Sequence, residues 1–249
     1  MKVVLQNLTK KFPNRNRKVK EDVVAVDNLS LTVCKGELLS LLGVNGAGKT
    51  TTIKMLSGLT QPTSGDALLC GKSIARNVTA VKSLIGVSPQ ETAVAPGLTA
   101  RENLALMCGV HGFPKEKQAA KIAELTELLG LHDVLNRKAG KLSGGWQRRL
   151  SIAMALISEP EILFLDEPTL GLDVLARSEL WDLIRTLKGK ITIILTTHYM
   201  EEAEALSDRI AIMKGGKLLI CDTPDNIKSA AGVANMEQAF VTIVKGGKQ

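Results

Sequence analysis

One stretch of the chain combines glycines, a lysine and a threonine at a spacing that suits phosphate binding. Residues 43–50 read Gly-Val-Asn-Gly-Ala-Gly-Lys-Thr and follow an apolar run at Leu38–Leu42. Glycines let the backbone curl until several N–H groups converge on one anion, and a helix that starts there adds about half a positive charge. Lys49 is expected to reach the β- and γ-phosphates, and the Thr50 hydroxyl to help hold Mg²⁺. The pattern predicts a nucleoside-triphosphate site.

A pair of carboxylates ends a second apolar run, Ile162–Leu165. A carboxylate at the end of a buried strand is costly unless it is paired or near a metal, so Asp166 is predicted to hold Mg²⁺ directly or through water. Glu167 is predicted to orient the water that attacks the γ-phosphate or to accept a proton from it. Such a role typically contributes about 10²–10⁴-fold in rate.

Two other predicted strands end in polar side chains suited to the same chemistry. His198 follows the run Ile191–Leu195, where a neutral imidazole can donate a hydrogen bond to a γ-phosphate oxygen. A strand-end histidine on its own is more often a surface residue or one whose hydrogen bonds are satisfied within the protein, so this interpretation depends on the phosphate loop. Gln90 ends the run Leu84–Ser88, where its amide can contact Mg²⁺ or the lytic water.

A second anion site is predicted at Ser143-Gly144-Gly145, where a serine cap and two glycines open a helix from Gln147 to about Ile157. One nucleotide cannot easily fill two such sites on different lobes. The simplest arrangement is therefore a head-to-tail dimer, in which this site completes the nucleotide pocket of the other subunit.

The elements that must position these residues alternate between strands and helices. Short strands are predicted at 3–5, 23–26, 29–33, 67–71 and 209–213, with a hairpin turn at Lys214–Lys217. Helices are predicted at 51–56, which Gly58 can end, from Asp173 as cap to about 187, and at 199–207. This alternation implies an α/β fold with a mostly parallel sheet and helical crossovers.

The middle of the chain changes to helical patterns. Thr99 and Glu102 have the spacing of a capping box, and Pro114 can start the next helix. Apolar residues then form a stripe before Gly130: Ile122, Leu125, Leu128 and Leu129. We predict a helical lobe over about 91–158, inserted into a nucleotide-binding core made of about 1–90 and 159–249.

Composition excludes several classes of protein. The chain has 249 residues and only 3% aromatic residues, so aliphatic side chains must form most of its core. No run approaches the roughly 18 apolar residues of a membrane-spanning helix, and the first residues lack the apolar region of a signal peptide. The four cysteines form no C-x-x-C pair, which argues against zinc and redox motifs and fits a reducing cytosol.

The formal net charge of +7 is concentrated near the N-terminus. The basic residues there are Lys10, Lys11, Arg15, Arg17, Lys18 and Lys20. A solvated loop is the ordinary explanation, with anionic lipid and nucleic acid as alternatives. Phe12, just before this loop, is either a core residue or an exposed ring on which a purine stacks.

These residues together resemble the ATP-binding subunit of ABC transporters over essentially the whole chain. Residues 43–50 look like its Walker A loop, Leu142–Gly145 like its signature sequence, and Ile162–Glu167 like Walker B with the catalytic glutamate. Gln90 and His198 look like the Q-loop glutamine and the switch histidine. Phrases such as Gly86–Gln90, Glu167–Asp173 and Met236–Phe240 look most like the branch that exports drugs, sodium, lipids or polysaccharides.

The resemblance implies specific roles for these residues. It implies catalytic roles for Glu167, His198, Gln90 and Lys49. It implies Mg²⁺ ligation by Thr50, Gln90 and Asp166. The positions that it assigns to ATP binding are Phe12, Gly43, Asn45, Gly46, Ala47, Gly48, Lys49, Thr50, Thr51, Ser143, Gly144, Gly145 and Asp173. Two features depart from the family pattern: Trp146 replaces the usual glutamine, and the loop after Phe12 is longer and more basic.

The same resemblance implies a fold, partners and a location. The fold is a single ABC-type domain over residues 1–249: a P-loop NTPase core with an N-terminal antiparallel β subdomain and an inserted α-helical subdomain. Two such subunits, identical or homologous, would close on two Mg-ATP molecules, and hydrolysis would reset them. Integral membrane subunits would dock near the helical lobe, which places the chain at the cytoplasmic face of the membrane.

Other functions remain possible from the sequence. Translation-type ATPases of this family carry two cassettes in one chain, and repair-type members insert a long coiled coil, whereas this chain has one cassette and no such insert. A soluble ATPase in cofactor assembly stays open as the alternative. Nucleic-acid binding through residues 10–20 is disfavoured because no aromatics besides Phe12 interleave with the basic residues.

Overall fold

The computed structural model describes residues 1–14 and 21–246, which form two compact units. One unit comprises the described residues up to 84 and from 188 onward, and the other comprises residues 85–187. Four of the basic residues singled out above, Arg15, Arg17, Lys18 and Lys20, lie outside the described residues.

Strands and helices alternate along the described part of the chain, as predicted. The strands are β1 (Val3–Phe12), β2 (Val23–Val33), β3 (Leu38–Leu42), β4 (Ser64–Leu69), β5 (Lys72–Ser73), β6 (Ile85–Ser88), β7 (Ile162–Asp166), β8 (Thr192–Thr197), β9 (Arg209–Lys214) and β10 (Lys217–Asp222). The helices are α1 (Lys49–Leu56), α2 (Val78–Lys82), α3 (Ala100–Val110), α4 (Lys115–Leu128), α5 (Gly144–Leu156), α6 (Val174–Leu187), α7 (Met200–Leu206), α8 (Pro224–Ala231) and α9 (Met236–Gly246).

The N-terminal strands form an antiparallel sheet in the order β2-β1-β4-β5. This confirms the expected antiparallel β subdomain. The two short strands predicted at 23–26 and 29–33 are one strand, β2, so that prediction was wrong. Asn28 adopts a left-handed conformation with φ of 52°, and its N–H is bonded to the Thr9 hydroxyl at 3.0 Å. The pairing between β1 and β2 continues past Asn28 with shifts in register and does not end there.

A largely parallel sheet lies behind the phosphate loop in the same unit. Strand β3 is buried at all five positions and pairs in parallel with both β8 and β9, while β10 returns antiparallel to β9 through Gly215-Gly216. These observations confirm the predicted sheet and hairpin turn. Leu42 is paired with Thr197, so the residues that follow β3 and β8 emerge at the same edge of the sheet.

The unit of residues 85–187 is mainly helical and contains the parallel pair β6 and β7. The capping box before α3 is present: the Glu102 N–H donates to the Thr99 hydroxyl at 3.2 Å, and the Thr99 N–H donates to the Glu102 carboxylate at 2.7 Å. The apolar stripe of α4 is narrower than predicted. Leu128 is 38% exposed because it lies at the margin of the stripe formed by Ile122 and Leu125.

Candidate nucleotide site

The predicted phosphate loop joins β3 to α1. Gly46 and Gly48 have φ angles of 79° and 102°, a region that side-chain-bearing residues rarely occupy. The Ala47 N–H donates to the Val44 carbonyl at 3.1 Å, which closes the loop into a tight curl. Gly48 is the N-cap of α1, and no side chain caps that end of the helix. The first-turn N–H groups therefore meet no competing side-chain acceptor at the N-cap.

Two glycines of the loop are required by close backbone contacts. A Cβ at Gly43 would lie 2.5 Å from the Met213 carbonyl oxygen, and one at Gly48 would lie 2.5 Å from the Ala25 carbonyl oxygen. Real Cβ atoms do not approach backbone so closely, so a side chain at either position would force the loop away from the sheet. The loop keeps its curl because it is packed against β2 and the β9–β10 hairpin.

Lys49 begins α1 and folds back over the loop. Its side chain is buried, and its ammonium group donates to the Gly43 carbonyl at 2.7 Å and to the Val44 carbonyl at 3.3 Å. Thr50 and Thr51 follow in the first turn and are half-buried, while Asn45 is exposed on the loop. A buried ammonium group beside a curled backbone and a helix N-terminus is suited to phosphate oxygens.

His198 lies beside the phosphate loop. It follows β8, and the Gly43 N–H donates to the Thr197 carbonyl at 3.3 Å. The imidazole contacts the Tyr199 ring, with 4.1 Å between ring centroids. A cleft lined by Val44, Asn45, His198, Met200 and Phe240 joins the two segments. The structure thus brings the predicted switch histidine and Asn45 to one cleft.

Phe12 ends β1 and is 41% exposed, so its interpretation as a core residue was wrong. The Lys10 ammonium group lies over its ring, 5.0 Å from the centroid. Stacking of a purine on this ring stays a prediction.

The acidic pair lies at the end of β7 in the other unit. Asp166 is the last residue of the strand, and both Asp166 and Glu167 are about 95% buried, with 5% and 6% of their surfaces exposed. Glu167 has a positive φ of 49°, which is uncommon for a residue other than glycine. Backbone strain of this kind is often found at functional sites, where surrounding structure holds one side chain in a required direction.

Ser143 occupies the N-cap position of α5, as predicted. Its hydroxyl, however, makes no capping hydrogen bond to the first turn of the helix. The helix begins at Gly144, earlier than predicted, and Ser143 and Gly144 are exposed. A Cβ on Gly144 would lie 3.5 Å from Leu172, and one on Gly145 would lie 3.1 Å from the Ala176 side chain. The predicted signature sequence therefore packs against the start of α6.

Asp173 lies at that start and caps the helix, as predicted. Its carboxylate accepts from the Ala176 N–H at 2.9 Å. Three apolar residues around it are exposed: Leu170 by 37%, Val174 by 77% and Leu175 by 76%. We call these three residues, with Ser143, Gly144, Gly145 and Asp173, the signature surface, because Gly144 and Gly145 approach Leu172 and Ala176 of the same segment.

The predicted magnesium ligands have suitable chemistry. The Thr50 hydroxyl, the Asp166 carboxylate and the Gln90 amide supply the hard oxygen atoms that Mg²⁺ prefers. Within residues 1–14 and 21–246 no group of three or more His, Cys, Asp or Glu side chains is arranged to hold a metal by itself. This donor set fits a magnesium ion that takes most of its ligands from substrate phosphates and water rather than from protein carboxylates.

Comparison with known proteins identifies the family. The family model described as ABC transporter matches residues 26–170, which is more than half of the chain. The chain belongs to the ABC transporter family. No helix among the described residues is long and apolar enough to span a membrane.

Its relatives in this family include transporter ATP-binding proteins. The Nod factor export ATP-binding protein I of Burkholderia lata is 43% identical over 82% of this chain and 67% of its own length. The probable multidrug ABC transporter ATP-binding protein YbhF of Escherichia coli is 38% identical over 96% of this chain. The chain spans 41% of that relative and 13% of the human phospholipid-transporting ATPase ABCA3, to which it is 39% identical.

Solved structures show the same fold. An ATP binding subunit of an ABC transporter has a TM-score of 0.83 at 26% identity and covers 98% of this chain and 100% of its own. A dimeric ATP-binding cassette in a post-hydrolysis state, bound to ADP and Pi, has a TM-score of 0.79 at 28% identity over 89% of this chain and 98% of its own. The fold is that of the P-loop ATPase cassettes, as the resemblance implied.

Arg148 is a residue of this ABC cassette that the sequence analysis missed. It is buried in α5, and its guanidinium donates to the Pro89 carbonyl at 2.5 Å and to the Gln90 carbonyl at 2.6 Å. It therefore ties the signature helix to the segment that carries Gln90. The available signal was helical spacing: Arg148 lies four and seven residues before Ile152 and Ala155, on the apolar face of the helix, and a buried guanidinium there needs several acceptors.

Other contacts fasten the same two elements. The Ser88 and Ser151 hydroxyls are 2.9 Å apart in a buried hydrogen bond. A Cβ on Gly86 would lie 2.3 Å from the Ala155 carbonyl oxygen, so β6 approaches α5 as closely as backbone allows. Gln90 itself is exposed. The amide group is thus presented to solvent while its backbone is fixed to the signature helix.

Replacement of Arg148 should therefore loosen the segment around Gln90. We expect Arg148→Met to leave two carbonyl groups without their charged donor and to destabilise the protein by about 2–4 kcal/mol. Hydrogen exchange of the peptide covering residues 88–95 should become faster. Arg185→Met is the control, because Arg185 pairs with Asp182 at the surface and its loss should cost less than about 1 kcal/mol. Equal effects of the two changes in urea unfolding and in exchange would contradict this role of Arg148.

Proposed function

We propose that this chain binds and hydrolyses ATP as the energy-coupling subunit of a membrane exporter. The observation that carries the proposal is the phosphate loop, in which the buried Lys49 ammonium group lies over the Gly43 carbonyl beside the uncapped N-terminus of α1. Cationic and N–H donors concentrated in so small a volume suit a polyphosphate chain. The ADP and Pi in the similar dimeric cassette support ATP as the substrate.

Each site residue has a role in this proposal. Lys49 and the backbone of residues 43–48 hold the phosphates, and Thr51 continues the first turn of N–H donors. Mg²⁺, held by Thr50, Gln90 and Asp166 together with phosphate oxygens, would neutralise charge on the phosphates. Phe12 stacks on the adenine, which its exposure allows.

Hydrolysis requires an oriented water and a proton acceptor. Glu167 accepts a proton from the attacking water as its oxygen bonds to the γ-phosphorus and the bond to the β–γ bridging oxygen breaks, so the products are ADP and phosphate. The left-handed backbone at Glu167 and its burial support a fixed carboxylate direction. His198 donates a hydrogen bond to the γ-phosphate.

Two subunits complete the site in a head-to-tail dimer. The signature surface of one subunit, with Ser143, Gly144, Gly145 and Asp173, covers the ATP held by the other. Its exposed helix donors suit phosphate, and the surrounding exposed apolar side chains suit burial against a partner. The dimeric state of the similar cassettes supports this arrangement.

Closure of the dimer on ATP, and the hydrolysis that follows, would drive conformational changes in integral membrane subunits. The E. coli and Burkholderia relatives are named as multidrug and Nod factor export ATP-binding proteins, which supports export rather than import. The helical unit that carries Gln90 would contact these subunits, and the chain would then reside on the cytoplasmic face of the membrane. The core of 1–90 and 159–249 with a helical insertion at 91–158 remains our division of the domain.

Loss of the Lys49 charge should abolish turnover. We expect Lys49→Ala to lower ATPase kcat/KM by at least about 100-fold, because a buried electrostatic stabiliser of the transferred phosphate is removed. Lys54→Ala, on an exposed position of the same helix, should retain wild-type activity. A coupled phosphate-release assay measures both variants. Undiminished activity in Lys49→Ala would refute the assignment of the phosphate loop.

Loss of the Glu167 charge should trap a dimer with ATP. We expect Glu167→Gln to bind ATP but not hydrolyse it, because an amide cannot accept the proton of the water. Multi-angle light scattering with Mg-ATP should then show twice the monomer mass. Glu116→Gln, a charge change on an exposed position of α4, should give no trapped dimer.

The dimer prediction has a further control on the signature surface. Leu175→Asp, combined with Glu167→Gln, should restore the monomer, since Leu175 is exposed in the single subunit and its change should not damage the fold. A monomer at high protein and ATP concentration in Glu167→Gln itself would argue against the composite site.

Association with membrane subunits is tested by purification. We expect the tagged protein, extracted from its native cells in mild detergent, to carry a multispanning membrane protein in fixed stoichiometry, as measured by mass spectrometry. A stoichiometric complex with only water-soluble proteins would favour the cofactor-assembly function instead, and would leave the ATP site unchanged.

A further inference from the structure

The C-terminal helix α9 contributes nothing to the functions proposed so far, yet it contacts the catalytic edge of its unit at two places. We propose that α9 positions the phosphate loop and His198, with Phe240 and Lys214 as the two positioning residues. The proposal rests on the assignment of this edge as the ATP site. It predicts that the rate of ATP hydrolysis depends on the packing of α9 against the rest of its unit.

The first contact runs through Phe240. Its ring is 5% exposed and forms one wall of the cleft that Val44, Asn45, His198 and Met200 also line. Tyr199 lies against the imidazole of His198, with 4.1 Å between ring centroids. The space available to the His198 side chain is therefore set in part by a residue of α9. An aromatic ring suits this task, because it is bulky and has only two rotatable bonds.

Phe240 is held from behind by the core. It belongs to a buried apolar cluster that includes Leu42, Ala203 and Met236. Leu42 is the last residue of β3 and immediately precedes Gly43 of the phosphate loop. Ala203 lies in α7, the helix that begins two residues after His198. The packing of α9 thus reaches the residues that lead into the loop and the helix that follows the histidine.

The second contact runs through Lys214, at the end of β9. Its ammonium group donates to the Val244 carbonyl in the last turn of α9, at 2.6 Å. A cation at a helix C-terminus satisfies carbonyls that have no partner within the helix and interacts favourably with the helix dipole. This bond fixes the end of α9 to the β9–β10 hairpin.

Two residues close to Lys214 in the chain, Met213 and Gly216, contact the phosphate loop. The carbonyl of Met213 is the atom that leaves no room for a side chain at Gly43. The Gly216 N–H donates to the Ala47 carbonyl at 3.1 Å. A shift of α9 would therefore be transmitted through Lys214 to backbone atoms that define the curl of the loop. Both contacts act on position and neither touches substrate.

A positioning role predicts a particular kinetic change. Truncation of Phe240 enlarges the cleft beside His198 and lets the imidazole take more than one position, while the phosphate loop still offers its donors. We expect Phe240→Ala to lower kcat by about 10- to 100-fold, the range expected for misplacement of a reacting group, with less than about a threefold change in ATP affinity. Phe240→Leu, which keeps most of the volume, should recover most of the activity.

A matched control separates position from stability. Leu69→Ala removes a buried side chain from β4 of the same unit, and Leu69 belongs neither to the cluster around Phe240 nor to the lining of the cleft. It should lower the melting temperature about as much as Phe240→Ala and leave kcat of the folded protein within about twofold of wild type. Lys214→Met should lower kcat, whereas Lys217→Met, on the exposed side of the same hairpin, should not.

A spectroscopic measurement makes the test independent of ATPase activity. The chain contains three histidines, of which His111 and His132 lie in the other unit and serve as internal references. In proton–carbon correlation spectra of protein with labelled histidine, the His198 signal should broaden or split in Phe240→Ala. It should remain single in Leu69→Ala and in Phe240→Leu, and this last result excludes a change caused only by the lost ring.

The outcomes are distinguishable. A selective loss of kcat in Phe240→Ala, with a broadened His198 signal, supports the positioning role. Equal losses in Phe240→Ala and Leu69→Ala, or an unchanged kcat with a single His198 signal, would overturn it while the ATP assignment stands. If the wild-type protein hydrolyses no ATP, the proposed function fails, and the His198 signal alone decides whether α9 holds the histidine in place.

Discussion

The close approach of backbone to backbone around the phosphate loop is the constraint on which the candidate site depends. At Gly43 and at Gly48 the carbonyl oxygens of Met213 and Ala25 leave no space for a Cβ. The curl that directs the donors of α1 outward is therefore imposed by the sheet and the β9–β10 hairpin, and is not a property of an isolated glycine-rich segment. Because these contacts come from distant parts of the chain, the anion site exists only once the whole unit has folded.

The helical unit solves a similar problem with a charged side chain. Arg148 is buried, and its guanidinium holds the carbonyls of Pro89 and Gln90 on the helix that Ser143 begins. A buried guanidinium is tolerated only when its donors are satisfied, so the segment around Gln90 cannot separate from α5 without exposing unsatisfied groups. The result is a rigid connection between a side chain presented to solvent and the surface proposed to meet the second subunit. A displacement of the segment around Gln90 should therefore displace α5 and the signature surface as well.

Motif spacing and periodicity predicted much of this architecture because they act locally. The strand Leu38–Leu42, the capping box at Thr99 and the Gly215-Gly216 turn lie where they were expected, since each depends on neighbouring residues. The phosphate loop also lies at its predicted place, although distant contacts impose its curl. Predictions that depended on distant contacts were less accurate. The interruption at Asn28 was read as a gap between strands, whereas pairing with β1 carries the strand through it. Leu128 belongs to the predicted apolar stripe of α4, yet it is partly exposed.

The sequence by itself determined the family, the class of fold and the residue types available for phosphate chemistry, because glycines, lysine and carboxylates at fixed spacings have few other uses. Only the tertiary structure decided which of these side chains lie close together in space. It left Phe12 at the surface, brought Phe240 of the last helix to the cleft of His198 and Asn45, and placed Arg148 on the carbonyl of Gln90. These juxtapositions join residues far apart in the chain, and they follow from the packing of helices and sheets, which no local pattern encodes.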